Sequence, residues 1–172
     1  KLKLLNCVGG GSSAAGFFNE FIDDEHIELI GIEAGGPENS KKHAAPLTNN
    51  CKIGILHGAA QYVIQNSEGQ IEETESIAAG LDYSGVSPLH CFLKDAGRAR
   101  YCSATDEEQL EAFKLVSRLE GFVSPSLEPA AAFADHRDSQ QRERGVGRDP
   151  QGRRRVQSGV RLDNEQQPGD QS

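Results

Sequence analysis

Tryptophan and methionine are absent from the 172 residues and aromatic residues make up only 6% of them, so a core has to be built from aliphatic residues and a few phenylalanines. No apolar run approaches the roughly 20 residues that a membrane-spanning helix needs. The stretch from Lys1 to Cys7 is too short and wrongly flanked by glycines for a secretory signal, so a soluble intracellular protein is expected. Positive charge is scarce as well. The 18 Lys and Arg stand against 26 Asp and Glu, a formal charge of −8, which argues against a general grip on nucleic acid or on an anionic membrane. Cys7, Cys51, Cys91 and Cys102 form no CxxC pair and no tight cluster. Neither a zinc site nor a disulfide framework follows from them, and reduced, mostly buried thiols are expected.

What is there divides in two. The length suits one sizeable core, and composition breaks near Ala134. Residues 1–134 hold 7 Lys and 3 Arg against 19 acids, whereas residues 135–172 hold 8 Arg, no Lys and 7 acids. That second stretch has no aromatic residue and only Val146, Val156, Val160 and Leu162 as larger aliphatics, too little apolar surface to offset the entropy of ordering it. It reads as an Arg- and Gln-rich tail, disordered or the product of a shifted reading frame, and its interspersed acids nearly cancel any field for nucleic acid. The opening strand arrives with no residues before it to pair beside it, which suggests a fragment.

Lys3 to Val8 reads as a buried strand, Gly9 to Ser13 as a turn, and Ala14, Ala15, Phe17, Phe18, Phe21 and Ile22 as a helix by their spacing. Glu28 to Glu33 then gives a second strand and completes a βαβ unit. Ile53 to Leu56 is another short apolar stretch. Tyr62 to Gln65 and Gln70 to Ile77 are expected as hairpin arms around Asn66-Ser67-Glu68-Gly69. Ala99 to Ser103 reads as a strand. Thr105 and Glu108 make a capping-box pattern for a helix with Leu110, Phe113, Val116 and Leu119 inward, stopped at Gly121. The fold class is α/β, an open and mostly parallel sheet with helices.

Three glycines and two serines between strand and helix bring together unshielded N–H groups, hydroxyl donors and a helix start, the ingredients of an anion cradle. No P-loop lysine follows them. Gly9, Gly11 and Ala14 partly imitate a dinucleotide fingerprint with Glu33 as its acid, and a plain packing turn accounts for the same glycines. These readings stay open on the residues alone.

A longer collinear series narrows them. Cys7-Val8-Gly9-Gly10-Gly11-Ser12-Ser13-Ala14, Leu29-Ile30-Gly31-Ile32-Glu33-Ala34-Gly35-Gly36, Ala45-Pro46-Leu47, Gly54-Ile55-Leu56-His57-Gly58, Gly69 to Thr74, Ser76 to Tyr83 and Gly97-Arg98-Ala99 stand in order. In this they resemble the C-terminal half of the tryptophan synthase β chain over about residues 1–130.

The resemblance implies a partial fold type II scaffold and a pyridoxal 5'-phosphate lyase that replaces the hydroxyl of L-serine with indole, working as a β homodimer with an α subunit or α domain in the cytoplasm or a plastid. It implies that Gly9, Gly10, Gly11, Ser12 and Ser13 hold the cofactor phosphate, with Ser13 where the family usually has Asn. Glu128 matches the glutamate facing the cofactor ring; on its own it reads equally as a helix-opening carboxylate. Asp82 matches the aspartate that meets an arginine of the other half on closure. Backbone carbonyls of Gly9, Tyr83 and Gly85 match a monovalent cation site for Na or K, and Leu56 and His57 match positions lining the indole tunnel. The family's Schiff-base lysine belongs to its other half, and nothing in residues 135–172 matches the Ser-Gly-Arg-Gly-Asp end. These residues by themselves are therefore expected to be inactive. A noncatalytic phosphate-binding or interaction fragment, and a related β-replacing enzyme, are the alternatives.

Overall fold

The computed structural model describes residues 2–49, 51–121, 123–124, 126–134, 146–148 and 154–156. The chain divides into two units, Lys1–Arg137 and Asp138–Ser172. Within the second, β6 (Val146–Arg148) and β7 (Arg154–Val156) pair antiparallel. The rest of the expected disordered tail lies outside the described residues.

The first unit is built on a parallel sheet of β1 (Leu2–Cys7), β2 (Ile27–Gly36) and β5 (Ala99–Thr105), in the order β1-β2-β5. The central strand is a near-continuous apolar run because both its faces are covered. Its side chains alternate with period two. Ile30, Ile32 and Ala34 face a core shared with Ala112 of α3 (Asp106–Glu120) and with Ala130 and Ala131 of α4, which spans 128–134. Leu29 faces a second core with Ala14 and Phe18 of α1 (Ser12–Phe18) and Leu93 of α2 (Pro88–Asp95). Each large aliphatic or aromatic side chain buried in this way contributes about 1.5–3 kcal/mol. The expected βαβ unit is present, and α1 runs on into one 3₁₀ turn, Asn19–Phe21.

Three expectations are corrected. The hairpin lies one segment earlier, between β3 (Lys52–Leu56) and β4 (Ala59–Val63), joined by His57-Gly58 with both residues at positive φ, 52° and 78°. Of the hairpin expected around Asn66–Gly69, the turn is present and its arms meet at one bridge, Gln65 to Ile71, closed by Asn66 N–H to Gln70 O at 2.9 Å and Glu72 N–H to Ile64 O at 3.0 Å, but pairing does not continue to Ile77. Glu72, Glu73 and Glu75 of the second arm face solvent, so no buried face fixes a longer register. Second, α3 begins at the Thr105 capping box and stops at Gly121, φ 72°, as read, but Leu110 and Leu119 are 40% and 70% exposed. Asp106, Gln109 and Ala112 are the buried residues of that helix, because the Asp106 carboxylate accepts from the Ser76 hydroxyl and the Ile77 N–H, both at 3.2 Å, and so sets the helix rotation. Third, all four cysteines are free but half-buried rather than enclosed.

No helix among the described residues is long and apolar enough to cross a membrane.

Candidate functional site

The glycine loop leaves the carboxyl end of β1, on the edge where open parallel sheets bind their ligands. Gly11 is the residue before α1 and sits at φ 95°. A glycine there supplies no side-chain cap, so the first N–H groups of the helix have no capping acceptor among the described residues. Gly10, Ser12 and Ser13 lie at the surface. Two of the loop's carbonyls are tied down from behind: Gly10 O accepts from Ser87 N–H at 2.9 Å, and Gly11 O accepts from Ala15 N–H at 2.8 Å and from His90 Nε2 at 2.7 Å. A trans peptide points its N–H opposite its C=O. The N–H groups of Gly11 and Ser12 are accordingly aimed away from α2. A Cβ on Gly10 would have only Tyr83 nearby, at 3.9 Å, so it would project into free space. Gly9 is different, since a Cβ there would lie 2.6 Å from Gly80 O.

That close approach brings the segment 78–85 against the loop. The 3₁₀ turn Ala79–Leu81 is anchored at one end by Asp106 and at the other by Glu128, whose Oε1 accepts from Gly80 N–H at 2.7 Å. Glu128 stands at the start of α4, as a helix-opening carboxylate would, and also holds the Gly80 turn. The Ser126 hydroxyl, and more weakly the Glu128 and Gly80 N–H groups, hold its carboxyl below the ordinary glutamate range against the opposing effect of burial. Its Oε2 is shut off from solvent and has no partner at hydrogen-bonding geometry among the described residues. With the carboxyl held ionised, an acceptor left in this way calls for a donor from beyond the described residues.

The remaining matched residues gather here too. Val63 bridges to Gly85 and Ile64 N–H donates to Ser84 O, which sets the hairpin beside this segment. His57, at the hairpin tip, stacks on Tyr83 with centroids 6.1 Å apart and planes 9° apart, and Leu56 packs where a Cβ on Gly85 would be 2.8 Å from its Cδ2. Asp82 is exposed and makes no ion pair among the described residues. Among those residues, no group of three or more His, Cys, Asp or Glu could hold a metal ion.

Glu33 does not serve as a dinucleotide acid. It is wholly buried, and it accepts from Leu47 N–H at 3.0 Å and from Thr48 N–H and hydroxyl at 2.9 Å. Sequence reasoning passed over His90 and Tyr101, whose contacts to the loop are tertiary. Ser87-Pro88, a capping residue followed by proline, was the available signal for α2, and the Ser87 hydroxyl caps Leu89 N–H as that pattern predicts. No family model matches the chain.

Proposed function

We propose that the first unit forms the phosphate-binding and ring-facing side of a pyridoxal phosphate site, in an enzyme of the tryptophan synthase β type that makes L-tryptophan from L-serine and indole. The observation that carries this reading is the pairing of uncapped amides at the Gly9–Ser13 loop with the orphaned Glu128 oxygen across the Gly80 turn. An ester phosphate and a conjugated ring need those two things at opposite ends.

When bound, the cofactor supplies an electron sink at the substrate's α-carbon. The chain does the rest by position. N–H groups of Gly11 and Ser12, and the Ser12 and Ser13 hydroxyls, bind the phosphate, with Gly9 and Gly10 keeping the backbone close. Glu128 holds or moves a proton at the substrate end. Asp82, exposed on its loop, is free to meet an arginine as the site closes and excludes water. Leu56 and His57 line the path for indole beside Tyr83. Carbonyls of Gly9, Tyr83 and Gly85 are assigned to Na or K, ions that oxygen ligands suit. The partners are an α subunit or α domain and a second β chain, in the cytoplasm or a plastid. A noncatalytic phosphate-binding role shares the cradle and differs only at Glu128.

Titration with pyridoxal phosphate, followed by absorbance and by ³¹P NMR, tests the reading. Wild type binds, and Gly10→Asp, which sets a carboxylate in the cradle without a backbone clash, loses at least about tenfold in affinity with unchanged circular dichroism. Borohydride traps no internal imine at the site, since none of the chain's seven lysines matches the family's Schiff-base position. An absorbance change on adding L-serine separates the enzyme from the noncatalytic role. Equal affinity in wild type and Gly10→Asp, or none in either, refutes the site.

A further inference from the structure

We infer that a polar chain from β5 through α2, Tyr101 to His90 to Gly11, fixes the direction of the loop's N–H groups, making His90 a positioning residue for phosphate recognition; this rests on the cradle reading above. His90 is wholly buried and bonded at both ring nitrogens, Nε2 to Gly11 O at 2.7 Å and Nδ1 to Tyr101 hydroxyl at 2.8 Å. A carbonyl only accepts, so Nε2 carries the proton. Burial disfavours the charged ring, which leaves Nδ1 as an acceptor and makes Tyr101 the donor. Burial also keeps the Tyr101 hydroxyl protonated, as that role requires. The donor order is therefore unique: Tyr101 O–H to His90 Nδ1, and His90 Nε2–H to Gly11 O.

Two consequences reach the loop. The Gly11–Ser12 peptide is held with its oxygen toward α2 and its Ser12 N–H on the opposite side. Each bond in such a chain polarises the next, so the same peptide becomes a stronger donor to a phosphate oxygen. Ser87 repeats the device one peptide earlier by donating its N–H to Gly10 O at 2.9 Å. Space confirms that the arrangement is tight. A Cβ on Gly11 would lie 2.3 Å from His90 Cδ2, and one on Gly31 would lie 2.6 Å from the Tyr101 ring. Both glycines are needed for the chain of contacts to close. The ring of His90 is further fixed by edge-on packing against Phe18 and Tyr101, with centroids 6.3 and 5.8 Å away.

The test uses the full chain and two independent readouts. Long-range ¹⁵N NMR of the histidines should show His90 with a protonated Nε2 and an unprotonated Nδ1, and Tyr101→Phe should shift the amide resonances of Gly11 and Ser12. In binding, Tyr101→Phe and His90→Phe should weaken pyridoxal phosphate about tenfold while leaving unphosphorylated pyridoxal unaffected. His90→Gln keeps an N–H near the Nε2 position and should recover most of the loss. A His90 protonated on Nδ1, or Tyr101→Phe and His90→Phe proteins that are folded and bind pyridoxal phosphate like wild type, would overturn the inference. If wild type binds no phosphate ester, the proposed function falls; the tautomer and the amide shifts then decide the positioning claim by themselves, a wrong tautomer or unmoved amides overturning it.

Discussion

Glu33 is a carboxyl wholly buried on the central strand of the sheet. Burial lifts its carboxyl from the ordinary 4.5 to about 7, against the pull of the Leu47 and Thr48 donors and, more weakly, of Lys94. A raised acid pKa means that the folded chain holds this proton more tightly than the unfolded one. The stability it contributes is complete below pH 4.5 and is lost as pH rises through about 7. A shift of this size corresponds to roughly 3 kcal/mol. His43 and His90 work in the other sense: burial lowers both, so their contribution is present above the ordinary 6.5 and is lost as pH falls. Urea denaturation of wild type and Glu33→Gln at pH 5 and pH 8 isolates the glutamate, since the histidines are common to both. Wild type should lose about 2–3 kcal/mol more than the variant over that interval. Parallel pH profiles would show that the carboxyl is not titrating as described.

At the scale of elements, what the sequence disclosed depended on how local the governing contacts are. The start of α3 was readable because Thr105 and Glu108 satisfy each other's backbone N–H groups within four residues. Replacing Thr105 by Ala should cost about 1 kcal/mol, seen as a fall of a few degrees in thermal unfolding, whereas Lys114→Ala, at an exposed mid-helix position, should be nearly silent. The inward face of the same helix was not readable, because the distant Ser76 and Ile77 donors choose its rotation through Asp106. Likewise the β3–β4 turn depends on His57 and Gly58 both taking positive φ, a two-residue signal weaker in His-Gly than in Asn-Gly. The glycine cradle was legible as a strand, a turn and a helix start. Glu128 entered only by family resemblance, and its contact with Gly80 spans 48 residues, beyond the reach of any local pattern.

For the molecule as a whole, charge and partition bear on how a phosphate is held. The first 134 residues carry an excess of nine acids, so their long-range field repels an anion and recognition has to come from oriented backbone dipoles at short range. Every residue assigned to the site, and both cores, belong to the Lys1–Arg137 unit. A chain ending at Arg137 should accordingly keep the far-ultraviolet spectrum of that unit and the pyridoxal phosphate affinity of the full protein within about twofold, well under the tenfold that about 1.4 kcal/mol would bring. A larger loss would mean that Asp138–Ser172 takes part in binding.

The bare α-carbon of Gly31, lying under the Tyr101 ring, also constrains how this chain can drift among its descendants. A methyl group introduced at position 31 meets the phenol on one side and Val8 Cγ2 on the other, the latter 2.9 Å from where the new carbon would sit, so shrinking the phenol alone leaves half of the obstruction in place. A side chain at position 31 is thus expected to be accepted only in lineages that have already made room at both Val8 and Tyr101, which keeps the glycine in place behind two earlier changes.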